Sequence, residues 1–335
     1  MGKVLVTGGG GFIGAALVRE LARRGLAVRS FDNGFRKRDA GEADGGGDVE
    51  YVAGDIRDVA AVRRAMRGVE AVFHLAYVNG TAFFYSQPRL VLDVAIRGQL
   101  AALDCAEEAG VETFVYFSSS EAYQTPTVIP TPEDVPLVVP DVHNPRYSYG
   151  GGKILAEMLL LHYARPAGMR RLVIRPHNVY GPAMGFEHVI PQLVERVYRA
   201  SDGLRLPEAS IVLQGTGRET RAFCHVDDAV AGTLLAFEKG ADGTVYHLGN
   251  PVETTILELL RRIGERCGVR VRPETGEAPA GATPRRCPDV GRLAKLGYVP
   301  RVDLVTGLAG TVDWYAAYFR DRAGLPGGRD DKGAH

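Results

Sequence analysis

Cysteine is scarce in this 335-residue chain. The four present (Cys105, Cys224, Cys267 and Cys287) are scattered and never form a Cys-x-x-Cys pair. That excludes a disulfide scaffold and a zinc site, and it predicts idle thiols in a reducing cytoplasm, with no bound metal. Net charge is absent too, since Lys+Arg and Asp+Glu both number 40. A balanced chain carries no electrostatic footprint for nucleic acid and no polybasic patch for a membrane surface. Nor does any apolar run approach the ~18–20 residues that a bilayer crossing requires. Met1-Gly2-Lys3-Val4-Leu5-Val6-Thr7 runs straight into a glycine-rich turn, so it reads as a strand and not as a signal peptide. No internal repeat is visible. A hydrophobic content of 45% and a charged content of 24% describe an ordinary globular protein, long enough for one large or two modest domains.

The first half alternates between two periodicities. Lys3–Thr7, Ala27–Phe31, Glu50–Ala53, Ala71–Leu75, Phe114–Ser118 and Leu172–Arg175 read as apolar strands. Gly11–Arg24, Asp58–Arg67, Leu90–Glu108 and Tyr149–Ala164 read as helices. Such alternation predicts an α/β fold, a doubly wound parallel sheet covered by helices on both faces. After Arg175, proline and glycine become frequent and the elements shorten. The change predicts a first domain over 1–175 and a smaller mixed α/β domain over 176–320. Phe223–Val226 and Val245–Leu248 are expected to return to the first sheet. Gly41–Gly47 reads as a surface loop, and Asp321–His335 as a disordered tail.

Glycines at 8, 11 and 14 stand directly after the first strand and open a helix, in Thr7-Gly8-Gly9-Gly10-Gly11-Phe12-Ile13-Gly14. Glycine permits the tight turn and lets backbone approach a pyrophosphate, while the helix N-terminus offers free N–H groups and a positive dipole end. This strand–turn–helix context is that of a dinucleotide site. Asp32 ends the second strand, where a carboxylate accepts from both ribose hydroxyls and repels a 2′-phosphate, so NAD is expected in preference to NADP. Arg36, Lys37 and Arg38 argue the other way but fall in a loop. Asp55, in Gly54-Asp55-Ile56, either flanks the adenine or caps the helix near Asp58.

Tyr149 and Lys153 are four residues apart, which on a helix places them on one face. A phenol is a poor base at neutral pH, and a cation one turn away favours its phenolate. The three glycines between them disfavour helix by roughly 0.8–1 kcal/mol each relative to Ala, so the run implies close approach, either of a ligand or of a packed neighbouring element.

Taken in order, these segments resemble the extended short-chain dehydrogenase/reductases, specifically the NAD-dependent nucleotide-sugar epimerase/dehydratase group of the UDP-galactose 4-epimerase type. The resemblance spans residues 3 to about 320. It rests on the glycine turn, Asp32-Asn33, Gly54-Asp55-Ile56, His74-Leu75-Ala76, Ser118-Ser119-Ser120-Glu121-Ala122-Tyr123 and Tyr149-x-x-x-Lys153. It continues in Arg175-x-x-Asn178-Val179-Tyr180-Gly181-Pro182 and Arg221-Ala222-Phe223-Cys224-His225-Val226-Asp227-Asp228. It implies a Rossmann domain holding NAD at Gly8, Gly11, Phe12, Ile13, Gly14, Asp32, Asn33, Asp55, Ile56, Leu75, Ala76, Tyr149 and Lys153. It also implies a nucleotide-diphospho-sugar substrate. Tyr149 would then be the catalytic acid/base, Lys153 its electrostatic partner, and Ser119 the hydrogen-bonding serine. Asn178, Arg221 and, in Arg285-Arg286, Arg286 match diphosphate contacts. Read without the family, Asn178 is a turn residue and Arg221 a surface ion-pair member, and His188 and His225 are packed or hydrogen-bonded. The resemblance further implies a homodimer built on the helices near 90–108 and 149–164.

The departures concern the substrate. Sugar 4,6-dehydratases pair an acid with a base beside the serine or threonine, usually as Asp-Glu, whereas this chain has Ser120-Glu121. Ala95 replaces a usual Asn, and Gln124 a usual Gly. The leading expectation is a C4 epimerase that oxidises the sugar and returns the hydride to its other face, with Ser120 among the substrate contacts. The alternative is a dehydratase or decarboxylase with Glu121 as base. Specificity would come from loops around Thr81–Gln87, His143–Arg146 and Met184–Ile190.

Overall fold

A computed structural model describes residues 2–35, 48–163, 168–277 and 283–322. The chain divides into two compact units: Met1–Val179 with Ala222–Val252 and Arg286–Arg301, and Tyr180–Arg221 with Glu253–Arg285 and Val302–His335. The expected boundary near 176 falls three residues before the end of the first unit's leading segment. The return of Arg286–Arg301 to the first unit has no counterpart in the sequence reading.

The first unit is built on seven strands: β1 (Lys3–Thr7), β2 (Val28–Asp32), β3 (Val49–Ala53), β4 (Val69–His74), β5 (Thr113–Phe117), β6 (Arg170–Pro176) and β7 (Thr244–Leu248). They pair in the order β7-β6-β5-β4-β1-β2-β3, every neighbouring pair parallel. The doubly wound parallel sheet expected from the alternation is therefore what the chain forms. Strand side chains alternate between two cores, as a period of two demands. Leu5, Val72, Phe114 and Val173 enter one core, and Val4, Val6, Phe73, Val115 and Ile174 the other. The first core is closed by α2 (Val59–Ala65), α3 (Gln99–Ala109) and α4 (Ser148–Met158). The second is closed by α1 (Phe12–Arg23) and α5 (Val226–Lys239). Strand order reverses between β1 and β4, and in such sheets ligands bind in the crevice at the carboxyl ends beside that reversal.

Several expectations need correction. Val245–Leu248 joins the sheet, but Cys224–His225 pairs instead with Val179–Tyr180 in a separate two-stranded ribbon. The helix expected over Leu90–Glu108 is α-helical at Pro88–Asp93, widens to π geometry over Val94–Gly98 and resumes as α3. Thr81–Ser86, expected in a loop, is a short helix. Asp321 and Arg322 close the last helix, Leu304–Arg322. The Gly41–Gly47 loop and the remainder of the expected tail lie outside the described residues. The second unit is mixed α/β. Helices Val189–Ala200, Ile256–Cys267 and Leu304–Arg322 pack on one another, and Glu208–Val212 pairs in parallel with Arg270–Glu274.

Gly14 marks where α1 crosses the end of β1. A Cβ there would lie 2.1 Å from the Gly8 carbonyl oxygen. Gly14→Ala should therefore destabilise the protein by ~1–3 kcal/mol through overpacking, although Ala normally stabilises a helix by about 1 kcal/mol over Gly. Urea unfolding checks this, and unchanged or raised stability would refute the close crossing.

Candidate active site

At the nucleotide end, the glycine pattern is required first by the backbone itself. Gly8 has φ +72°, and a Cβ on it would meet the Ala76 nitrogen at 2.7 Å. The Leu75 N–H donates to the Thr7 carbonyl at 3.0 Å, so the ends of β1 and β4 run together and Leu75-Ala76 lies against the turn. Among the described residues the α1 N-terminus has no side-chain cap, and its first turn holds no acidic residue. Its positive dipole end favours an anion such as a pyrophosphate. The Asp32 carboxylate accepts from the Gly10 N–H at 3.0 Å and the Gly34 N–H at 2.7 Å, which holds it beside the turn. An uncapped helix end with a carboxylate alongside fits a dinucleotide. Arg36, Lys37 and Arg38 lie outside the described residues.

Other nucleotide-end candidates have local tasks. Asn33 accepts from the Phe35 N–H at 3.0 Å. Asp58, not Asp55, caps α2, accepting from the Ala60 and Ala61 N–H groups. The Asp55 carboxylate is paired with Arg57 at 2.7 Å, whose guanidinium holds it down at about 2. Arg57 bridges on to Asp93 at 2.8 Å. The Ile56 side chain is buried in the core.

At the carboxyl end of β5, Ser119 is buried, and its hydroxyl accepts from the Glu121 N–H at 3.1 Å, starting the turn Ser120–Tyr123. Ser118 and Ser120 are buried beside it, and the Ser118 hydroxyl has no hydrogen-bond partner among the described residues. Tyr149, in the first turn of α4, stacks on Phe84 with centroids 4.9 Å apart and meets Tyr77 edge-on at 5.2 Å. Lys153 is buried one turn on, its Nζ 5.7 Å from the Tyr149 ring centroid. That ammonium donates to the Phe117 carbonyl at 2.6 Å and sits 3.7 Å above the Tyr77 ring. Burial pushes Lys153 down to about 7, partly countered by Glu157. His74, hydrogen-bonded to Thr7 at 2.7 Å, is pushed to about 3 by burial and by Lys153, so it stays neutral.

The three glycines of α4 answer to packed neighbours. A Cβ on Gly150 would meet the Gln124 amide nitrogen at 2.5 Å and the Glu121 carbonyl at 3.0 Å. One on Gly152 would meet the Tyr77 hydroxyl at 2.4 Å and the Ala95 Cβ at 2.9 Å. Gly151 makes only ordinary contact, with Val139. At Gly150 and Gly152, neighbouring protein elements approach closely.

The expected substrate contacts divide. Arg286 forms an ion pair with Glu121 at 2.5 Å, whereas Arg285 pairs with Glu253. Asn178 has φ +40°, and its side-chain amide donates to the Ala222 carbonyl at 3.1 Å. Arg221, in the second unit, donates to the Thr220 carbonyl at 2.7 Å. His225 caps α5 through the Asp227 N–H. Behind Lys153, the buried Glu157 pairs with Arg175 at 2.6 Å. Arg175 also donates to Tyr123, and Tyr123 meets His247 at 2.6 Å. Tyr77 and Glu157 escaped the sequence reading, and Phe84 entered it only as part of the segment Thr81–Gln87. Glu157 carried a signal, four residues beyond Lys153 on the same helical face, and Tyr77 another, directly after His74-Leu75-Ala76.

The model of the NAD dependent epimerase/dehydratase family matches residues 4–249. A dTDP-glucose 4,6-dehydratase of Actinoplanes sp. is 32% identical, the match covering 94% of this chain and 98% of that protein. A UDP-N-acetyl-alpha-D-glucosaminuronate decarboxylase of Bacillus cytotoxicus is 28% identical, covering 95% of this chain and 99% of that protein. Among solved structures, the UDP-glucose 4-epimerase of Thermotoga maritima, crystallised with UDP-glucose, has a TM-score of 0.81 at 30% identity, covering 95% of this chain and 99% of that one.

Between about pH 7 and 10.5 an unfolded Lys153 carries a proton that the folded one has lost, so its contribution makes stability rise with pH in that window. Urea unfolding across the window should show a steeper rise for the wild type than for Lys153→Met. Parallel curves would refute the desolvated ammonium.

Proposed function

This chain belongs to the NAD-dependent epimerase/dehydratase family, enzymes of nucleotide-sugar chemistry, and from that premise we propose that it is a nucleotide-sugar epimerase acting at C4. The observation that carries this reading is the state of Glu121. Its carboxylate, the extra group a lyase would need, is ion-paired with Arg286, while Ser119, Tyr149 and Lys153 are all buried in the same unit.

The turn from Gly8 to Gly14 would hold the pyrophosphate of NAD and Asp32 its adenosine ribose, with Leu75 and Ala76 beside the turn. Bound NAD supplies a hydride acceptor and the same hydride back, so there is no net redox. The remaining work is a single proton: Tyr149 removes it from the C4 hydroxyl and restores it to the epimeric alkoxide. Lys153 favours the phenolate electrostatically, and Ser119 steadies the reacting oxygen by hydrogen bonding. Asn178 and Arg286, both in the first unit, are proposed for the diphosphate, for which a guanidinium fork is suited. Eliminating water would need an acid and a base beyond these, and Ser120-Glu121 offers one carboxylate.

The second reading is a lyase, dehydratase or decarboxylase, and the curated relatives of those two kinds favour it. A homodimer is proposed on the apolar side chains that the helices expose, among them Leu92, Leu155, Met158 and Tyr163. No helix among the described residues is long and apolar enough to cross a membrane, and the cytoplasm is the proposed compartment.

NMR product analysis against UDP-, GDP-, CDP-, ADP- and dTDP-sugars should reveal one C4 epimer pair. Tyr149→Phe should lower kcat by ~10²–10⁴ without unfolding the protein. Glu121→Gln should lower kcat less than about tenfold, its main effect falling on KM through Arg286. Release of water or carbon dioxide by the wild type, abolished in Glu121→Gln, would establish the lyase instead.

A further inference from the structure

The Lys153 ammonium is buried, yet it has no salt-bridge partner among the described residues. It has one close hydrogen-bond acceptor, the Phe117 carbonyl at 2.6 Å. Glu157, one turn further along α4, spends both carboxylate oxygens on Arg175, at 2.9 and 2.6 Å. What faces Lys153 instead is aromatic. The Tyr77 ring centroid is 3.7 Å from Nζ and the Tyr116 ring centroid 5.0 Å. A desolvated cation over an aromatic face is stabilised by the ring's quadrupole, and more strongly than in water. Tyr77 also reaches Tyr149 in two ways. Its hydroxyl donates to the Tyr149 carbonyl at 3.4 Å, and its ring meets the Tyr149 ring edge-on at 5.2 Å. Gly152 makes room for it, since a Cβ there would meet the Tyr77 hydroxyl at 2.4 Å, besides the Ala95 Cβ at 2.9 Å. Ala95 lies in the π-helical widening Val94–Gly98, a kind of irregularity that recurs at functional sites.

We propose that Tyr77 is a positioning residue of this site: its ring holds the Lys153 ammonium in place and charged, and its edge and hydroxyl fix Tyr149 on the adjacent turn. The ring does this work, and the hydroxyl is secondary. The inference rests on Tyr149 and Lys153 acting as proposed above, but it concerns the state of Lys153 and can be read without turnover. The titratable groups facing Lys153 are Tyr77 and His74 at the end of β4, Tyr116 on β5, and Tyr149 and Glu157 on α4.

The chain contains six lysines, so ¹³C-lysine NMR resolves them, and Lys153→Arg assigns the one that matters. Tyr77→Phe keeps the ring, and Tyr77→Leu removes it while leaving an apolar side chain that keeps water out. The wild type and Tyr77→Phe should titrate Lys153 at the same pH. Tyr77→Leu should titrate it at least one pH unit lower, a tenfold shift in the proton equilibrium. With the nucleotide sugar identified by the product analysis, Tyr77→Leu should lower kcat at least tenfold at unchanged KM and move the alkaline limb of its pH profile down, while Tyr77→Phe stays within about threefold. An unchanged Lys153 titration in a folded Tyr77→Leu would overturn the proposal whatever the turnover shows. A shifted titration in a protein that turns over no sugar nucleotide would sustain the role of Tyr77 and overturn the proposed function alone. Equal losses in Tyr77→Phe and Tyr77→Leu would transfer the role from the ring to the hydroxyl and overturn the proposal as stated.

Discussion

A lysine ammonium held in the protein interior, with a carbonyl and aromatic faces for company, is the constraint that organises this site. Removing a cation from water is unfavourable unless other groups replace its hydration. Here they come from three parts of the first unit: the Phe117 carbonyl at the end of β5, the Tyr77 ring just beyond β4, and the Tyr116 ring within β5. Each is held by the parallel sheet, so the sheet fixes the ammonium and the ammonium fixes the face of α4 that carries Tyr149. Burial still prevails, since Lys153 is pushed down to about 7 and is poised near neutrality.

The arginines nearby obey a different rule. Arg175 and Arg286 each have a carboxylate, Glu157 and Glu121 respectively. Breaking a buried pair of the Glu157–Arg175 kind is expensive because the remaining charge is stranded, so such pairs hold a geometry more than they add stability. Glu157 could have served Lys153, four residues before it on α4. By turning to Arg175 it ties α4 to β6 and leaves the ammonium to the aromatic rings. Glu121 likewise holds Arg286 against the Ser120–Tyr123 turn.

Much of this could be read before any coordinates. Alternating periodicities led to the parallel sheet, because a strand buried on both faces and an amphipathic helix leave distinct local patterns. The glycine turn was legible because Gly14 answers to a crossing over Gly8 within the same motif, and Tyr149 with Lys153 because helix geometry alone puts them on one face. The glycines between them were read as a sign of close approach, which is right, but whose approach needed the fold: Gln124 and Glu121 on one side, Tyr77 and Ala95 on the other. From sequence, Asp55 serves equally as a neighbour of the adenine or as a cap of the helix near Asp58. The direction of the chain into α2 chose Asp58 and left Asp55 to Arg57.

Residue chemistry and spacing along the chain were sufficient for the class of fold, the nucleotide end and the tyrosine–lysine pair, since all three are written within one or two consecutive elements. The partners of the charges came only with the folded chain. Glu121 and Arg286 are 165 residues apart, and Tyr77 and Tyr149 are 72 apart. Contacts at such separations follow from the order in which strands enter the sheet, and a sequence pattern has no local term that encodes them. For that reason the tyrosine–lysine pair was visible from the residues, and the choice of what Lys153 and Glu121 lean on was made by the packing.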